Sequence, residues 1–188
     1  PITYEAPYLD NLPTAPREKF NANIAAIQKL KEIEQRVANG GSPAFEDEQK
    51  ILAQYTGWGG LSDAFDPNKS AWSNEYSQLK AALSESEYEA ARSSTLTAFY
   101  TPATVIHPIY RALERFGVKG GKILEPSMGT GAFLAHGHFG SSDAKFYGVE
   151  LDSITGRISK QLYQKANIQV TGYENALLPD NYFDCVMG

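Results

Sequence analysis

The residues best suited to chemistry form an acid-proline turn that is followed by two closely spaced glycines. The turn is Glu125-Pro126 and the glycines are Gly129 and Gly131; an apolar strand precedes them and a short helix follows. Glycines at this place let the backbone approach a ligand closely, because no Cβ stands in the way. The first N–H groups of the following helix also lack partners within the helix. The pattern predicts a ligand site at the carboxyl end of a strand in an α/β sheet.

A second acid follows the next predicted strand. Glu150 ends the segment Tyr147–Glu150, nineteen residues beyond Gly131. A carboxylate at this place can accept two hydrogen bonds from the hydroxyls of a ribose, so the two features together predict a cofactor that contains adenosine. The structural alternative is that the glycines only form a tight turn and that Glu150 is an exposed acid at the end of a strand.

The choice of cofactor depends on the residues around the glycines. Leu134 stands where the dinucleotide pattern G-x-G-x-x-G requires its third glycine. A negative Glu125 would repel a pyrophosphate, whereas it would suit the positively charged amino group of an amino-acid ligand. These two features favour S-adenosylmethionine over NAD.

Helical patterns fill the first half of the chain. A Pro-rich segment over residues 1–15 reads as an extended lead-in, and Asp63–Trp72 reads as a loop. Ser84 is suited to cap the helix that follows it. We therefore predict an N-terminal helical region over residues 1–95, in which apolar residues recur at helical spacing. Its predicted helices are Pro16–Ala38, Phe45–Tyr55, Ser73–Leu83 and Glu85–Ser93.

The second half of the chain alternates strand and helix patterns, which is typical of a parallel sheet with helices on its faces. An apolar helix over Ala103–Phe116 opens this half, with Thr101 as its expected cap and Pro102 in its first turn. We predict a partial parallel sheet of about four strands over residues 96–188. The predicted strands are Lys122–Glu125, Lys145–Glu150, Ile168–Thr171 and Tyr182–Met187, and the helices between them are Ala132–His136 and Asp152–Ala166.

Composition limits the class of protein. The net charge of −5 is unusual for a domain that grips DNA through phosphates, so a separate module is expected to hold any DNA. The sequence contains no run of 18 apolar residues, so no membrane span is expected. Residues 1–10 lack a basic region followed by an apolar stretch, so they are not expected to be a signal peptide. The single cysteine, Cys185, excludes an internal disulfide, and a reducing cytoplasmic setting is expected. His107, His136 and His138 lack zinc-like spacing, and the last two are expected to be solvated, so no metal site is predicted.

Four blocks of the sequence, in the right order, resemble the gamma-type N6-adenine DNA methyltransferases. In particular, the chain resembles the methylase domains of large, often helicase-fused proteins of phages, plasmids and conjugative elements. The first block, with the pattern F-Y-T-P, is the specific signal, and the resemblance extends from about Tyr55 to Gly188. The blocks are Thr97–Pro102, Glu125–Leu134, Gly148–Asp152 and Gly172–Asn175.

This resemblance implies an α/β, Rossmann-like fold of the S-adenosylmethionine-dependent methyltransferases, S-adenosylmethionine as cofactor, and DNA as partner. In the family the first block helps to hold the methionine end of the cofactor, and the fourth lies close to the adenine ring. Phe133 is also expected to pack under the glycine loop. The cofactor-binding residues implied are Tyr100, Thr101, Pro102, Glu125, Pro126, Gly129, Gly131, Phe133, Glu150, Leu151, Glu174 and Asn175.

The resemblance also implies where catalysis is lacking. Members of the family carry an N-P-P-Y/F motif after the fourth strand, which would begin just beyond Gly188, so we expect no catalytic residue and no methyl transfer within this chain. Strand Tyr182–Met187 would lie beside the first strand as a bare edge, which predicts self-association or cover by the helical region. A non-catalytic scaffold module of a mobile-element protein and an NAD-dependent oxidoreductase stay open as alternatives. Trp58 is expected in the core, with a cofactor lid as the alternative.

Overall fold

The computed structural model describes residues 11–98, 100–137 and 143–188, and the contacts of these residues divide them into two compact units. We name residues 11–98 the helical unit and residues 100–188 the sheet unit. Most of the predicted lead-in, Phe99 of the F-Y-T-P block and His138 lie outside the described residues. The functional division at residues 95 and 96 stays a prediction. Among the described residues, no helix is both long and apolar enough to cross a membrane.

Four α-helices form the helical unit. They are α1 (Pro16–Ala38), α2 (Glu46–Leu52), α3 (Ser73–Ala82) and α4 (Glu85–Ser94). Helix α1 starts with a proline and buries the stripe that its spacing predicted, including Phe20, Ile27 and Leu30. Ser84 caps α4 as predicted, since its hydroxyl accepts a hydrogen bond from the Glu87 N–H. Helix α2 is shorter than the predicted Phe45–Tyr55, because the chain turns away towards the buried Tyr55 and Trp58.

The predicted loop Asp63–Trp72 was wrong in part. Two short 3₁₀ helices, Ser62–Phe65 and Ser70–Trp72, occupy most of it, and the first of them buries the side chain of Phe65. Trp58 is 2% exposed and lies in the core, as expected. Its ring makes edge contacts with the rings of Phe20, Tyr55 and Phe65, at centroid distances of 6.0, 6.4 and 5.4 Å.

The sheet unit confirms the predicted α/β fold, a Rossmann-like methyltransferase fold with four parallel strands in the order β3-β2-β1-β4. The strands are β1 (Lys122–Glu125), β2 (Lys145–Glu150), β3 (Asn167–Val170) and β4 (Cys185–Val186). Strand β4 lies at one edge beside β1, as the resemblance implied, and Val186 is 58% exposed there. Self-association through this edge stays a prediction.

Strand β4 is shorter than the predicted Tyr182–Met187. The rings of Tyr182 and Phe183 pack instead against the ring of Tyr147, at centroid distances of 5.6 and 5.2 Å. Met187 is buried and joins the core.

Within the described residues, three α-helices accompany the sheet: α5 (Ala103–Arg115), α6 (Ala132–Ala135) and α7 (Ser153–Leu162). The expected cap at Thr101 was wrong, because Pro102 itself adopts the extended conformation of the capping residue and no side chain caps α5. Helix α7 begins after Asp152, whose carboxylate accepts a hydrogen bond from the Thr155 N–H. It ends at Leu162, before the predicted Ala166.

The core of the sheet unit positions the loop after β1. Ile123 of β1 packs with Ile106 and Tyr110 of α5 and with Phe133 of α6, so these helices cover the same face of the sheet. The carboxyl ends of β1 and β2 therefore lie side by side at the edge of the sheet from which the glycine loop leaves β1.

Candidate functional site

The glycine loop has the left-handed backbone that only glycine adopts easily. Gly129 has a φ of 55° and Gly131 has a φ of 79°, and Gly131 is the residue that precedes α6. A Cβ on Gly129 would lie 2.8 Å from Cε1 of Tyr100, and a Cβ on Gly131 would overlap the ring of Tyr163. Both glycines are therefore required by backbone conformation and by close packing against the rings of Tyr100 and Tyr163.

Glu150 links the end of β2 to this loop. Its Oε2 atom accepts a hydrogen bond from the Gly129 N–H at 2.7 Å, and its Oε1 atom accepts one from the Asp152 N–H at 2.8 Å. Burial raises the pKa of the carboxyl, while these hydrogen bonds oppose the shift. Each carboxylate oxygen can accept a second hydrogen bond, so the group can still receive two donors from a ligand.

Glu125 is the most unusual group of the site. Its side chain is 4% exposed at the end of β1, and its Oε2 atom has no hydrogen-bond partner among the described residues. Burial, with a smaller contribution from the charge of Glu150, raises the pKa of Glu125 to about 9. Such an isolated buried acid is costly, which favours a ligand with a positive charge beside it.

Tyr100 closes one side of the loop. Its ring contacts the Gly129 backbone, and its hydroxyl forms a hydrogen bond with the side chain of Thr155. Burial raises the pKa of this hydroxyl, so the side chain stays neutral. Thr101 and Pro102, which follow in the same block, are exposed.

Helix α7 supplies contacts to the loop that the sequence analysis did not identify. The Ser159 hydroxyl donates to the Gly129 carbonyl at 2.9 Å, and the Tyr163 hydroxyl donates to the Thr130 carbonyl at 3.0 Å. Thr155 and Ser159 are four positions apart and so lie on one face of α7, and Tyr163 is the residue that follows its last turn. Hydroxyl-bearing side chains at this spacing, right after the second acid, were the signal that could have found them.

The remaining predicted residues lie in three kinds of environment. Pro126 is partly buried directly after β1. Phe133 is buried in the core under the loop, as expected. Leu151 is 76% exposed, and Glu174 and Asn175 are exposed in a 3₁₀ helix, where the Asn175 amide donates to the Glu174 carboxylate at 3.1 Å. The structure thus brings five of the predicted residues together around the loop and leaves Thr101, Pro102, Leu151, Glu174 and Asn175 exposed to solvent. The five are Tyr100, Glu125, Gly129, Gly131 and Glu150.

The prediction of solvated histidines was wrong for His136. It is 8% exposed, and its Nδ1 atom lies 3.3 Å from Nε2 of His107 on α5, because the turn after α6 packs against that helix. No cluster of three or more metal-ligating side chains is found within the described ranges.

The donor set fits S-adenosylmethionine. A cationic amino group would satisfy the isolated Oε2 atom of Glu125, and the ribose hydroxyls would match the free acceptor capacity of Glu150. A pyrophosphate would instead meet the two acids Glu125 and Glu150.

Comparison with known proteins finds distant relatives among phage and viral proteins. The chain is 26% identical over 174 residues to Defense against restriction protein B of Escherichia phage P1, which covers 92% of this chain and 6% of that protein. It is 32% identical over 91 residues to Modification methylase CviBIII of Paramecium bursaria Chlorella virus NC1A, which covers 48% of this chain and 24% of the methylase. No protein-family model and no solved structure matches the chain. The chain therefore spans a small part of these relatives and carries a methylase-like domain.

Proposed function

We propose that this chain is the S-adenosylmethionine-binding part of a DNA adenine-N6 methyltransferase. The observation that carries the proposal is the convergence of two acids, Glu125 and Glu150, on one glycine loop with left-handed backbone. The functional division is residues 96–188 as the first half of the methyltransferase domain and residues 1–95 as a helical extension.

In this proposal each residue has a role that suits its position. Glu150 accepts hydrogen bonds from the ribose hydroxyls, Glu125 holds the amino group of the methionine moiety, and Tyr100 keeps the glycine loop closed on the ligand. The bound cofactor supplies an electrophilic methyl group on its sulfonium. Leu151 and the surface around Glu174 and Asn175 lie after the ends of β2 and β3, where the adenine ring is expected.

DNA as substrate and the adenine amine as methyl acceptor rest on the four sequence blocks and on the relationship to a modification methylase. An enzyme that acts on a base amine must extrude the base from the duplex, which needs protein surface beyond the cofactor site. Methyl transfer is therefore proposed for the whole protein, since this chain spans only 24% of the modification methylase that it resembles.

Calorimetric titration of the chain with S-adenosylmethionine tests the cofactor assignment. Saturable binding is expected for the wild type, and Glu150→Gln should weaken it about tenfold or more, because one charge-assisted acceptor is lost. Glu114→Gln on the exposed surface of α5 is the matched control and should leave the affinity unchanged. Tighter binding of NAD, or equal affinities for all three proteins, would reject the proposal.

A non-catalytic module of a mobile-element protein is the second candidate. It is favoured by the phage relative, which aligns with nearly the whole chain and is named for defence against restriction. Transfer of a labelled methyl group to DNA by the whole protein separates the two candidates. Transfer supports the enzyme, whereas cofactor binding without transfer supports the module.

A further inference from the structure

The buried acid at the end of β1 has a consequence for how a ligand enters the site. We propose that the cofactor binds by displacing a proton from Glu125, so that the site selects ligands with a cationic amino group and gains affinity as the pH rises. The inference rests on the proposed function, because it assigns the cofactor's amino group to this side chain.

The position of Glu125 isolates its carboxyl group. The residue pairs with Gly148 of β2 in the interior of the sheet, and only 4% of it is exposed. Pro126 follows Glu125 directly in the chain. Gly188 lies on another side of the carboxyl group, since a Cβ added to Gly188 would be 3.5 Å from Cγ of Glu125. Within the described part of the chain, Oε2 has no hydrogen-bond partner.

The titratable groups around Glu125 do not neutralise it. Glu150 on β2 is acidic and disfavours a second negative charge. Tyr110 on α5 and Cys185 on β4 are neutral at physiological pH, and the Tyr110 hydroxyl donates to the Phe133 carbonyl. No lysine or arginine of the described residues forms an ion pair with this carboxyl. The burial of the group therefore holds its pKa far above the ordinary value.

A neutral carboxyl and a cationic ligand then exchange a proton. When an ammonium group approaches Oε2, the charged carboxylate becomes the favoured form, the O–H bond breaks, and the proton passes to solvent. One proton leaves for each ligand bound. By linkage, the association constant then rises by up to tenfold for each pH unit.

The test compares two ligands that differ at the amino-acid end. S-adenosylhomocysteine carries the amino group, and 5′-methylthioadenosine carries the same ribose and adenine without it. Dissociation constants are measured from about pH 6 to about pH 7.5, where the amino group of the free ligand stays mostly protonated. The first ligand should bind about tenfold more tightly per pH unit, and the second should show little change, which also controls for titration of Glu150.

A variant and a direct proton count complete the design. Glu125→Gln keeps the size of the side chain and should bind S-adenosylhomocysteine more weakly, with an affinity that is independent of pH. Calorimetry of the wild type in buffers of different ionisation enthalpy should give close to one proton released. These wild-type measurements decide the question even where the variant folds poorly.

The outcomes are distinct. Binding of S-adenosylhomocysteine with no proton release and no pH dependence overturns the inference and leaves the cofactor function intact. Equal pH dependence for both ligands also overturns it, because the amino group is then not involved. Absence of binding for both ligands at every pH rejects the cofactor function together with the inference.

Discussion

The carboxylate of Glu150 accepts a hydrogen bond from the backbone N–H of Gly129, at 2.7 Å. The two residues are 21 positions apart in the chain, and the contact joins the carboxyl end of β2 to the loop that leaves β1. A charge-assisted bond of this kind fixes the left-handed conformation of Gly129 and aims one carboxylate oxygen at the loop. The acid therefore supports the loop and remains able to accept ligand hydrogen bonds.

Gly131→Ala should destabilise the sheet unit more than Gly117→Ala. Both glycines have positive φ, 79° and 90°, so each alanine should cost roughly 1–2 kcal/mol in backbone strain. A Cβ on Gly117 meets nothing within 4 Å, whereas one on Gly131 overlaps the Tyr163 ring and should add about 1–3 kcal/mol. Urea unfolding of both variants measures the difference, and equal losses would contradict the packing argument.

Tyr163→Phe should loosen the glycine loop. The variant removes the hydroxyl that donates to the Thr130 carbonyl and should cost about 1 kcal/mol of unfolding free energy. Tyr173→Phe is the control for stability alone, because Tyr173 is 55% exposed. Thermal unfolding and cofactor titration should both change for Tyr163→Phe, whereas thermal unfolding should stay unchanged for Tyr173→Phe. A Tyr163→Phe variant with wild-type affinity would show that the loop needs no such support.

Glu125 should make the free protein less stable as the pH rises. Its folded pKa of about 9 lies above the ordinary value of 4.5, so the folded state holds a proton that the unfolded state loses. Its contribution to stability is complete below about pH 4.5 and is lost as the pH rises towards 9.

Glu125→Gln should flatten this dependence, which urea unfolding at several pH values measures. The variant should then be more stable than the wild type at the alkaline end of the range. The exposed Glu114→Gln is the control and should keep the wild-type slope. Parallel curves for Glu125→Gln and the wild type would show that the carboxyl is already ionised in the free protein.

Glu48 should make the helical unit less stable as the pH falls, which is the opposite of the effect expected for Glu125. Two hydrogen bonds from the Arg36 guanidinium, at 2.7 and 2.6 Å, lower the pKa of Glu48 to about 2. The ion pair therefore stabilises the folded state fully above about pH 4.5, the ordinary pKa of a glutamate. This contribution is lost as the pH falls towards 2.

Glu48→Gln should cost roughly 1.5–3 kcal/mol at neutral pH, and the loss should vanish in acid. The control is Glu46→Gln on the same helix, since its ion pair with Lys50 is exposed and should contribute less than about 1 kcal/mol. Acid titration followed by circular dichroism measures both. Equal midpoints for the variant and the wild type would contradict the assignment.

Much of the fold could be predicted, because the spacing of apolar residues and the residues that begin or end helices are local properties of a sequence. The apolar stripe of α1 and the cap at Ser84 depend on residues within a few positions of each other. The alternation of strands and helices predicted a parallel sheet, and the edge position of β4 was expected from the resemblance. Errors occurred where distant contacts decide, as in the shortened β4, whose neighbours Tyr182 and Phe183 pack on Tyr147.

The candidate site divides in the same way. The sequence by itself determined which residues end the two strands and that Gly129 and Gly131 form the loop, since acids and glycines at this spacing permit few structures. Only the tertiary structure decided that the face of α7 with Ser159 holds the loop, that His136 meets His107, and that the Glu125 carboxyl is buried without a partner among the described residues. Burial and side-chain contact between distant residues arise from packing of whole elements, and no local pattern of residue types specifies them.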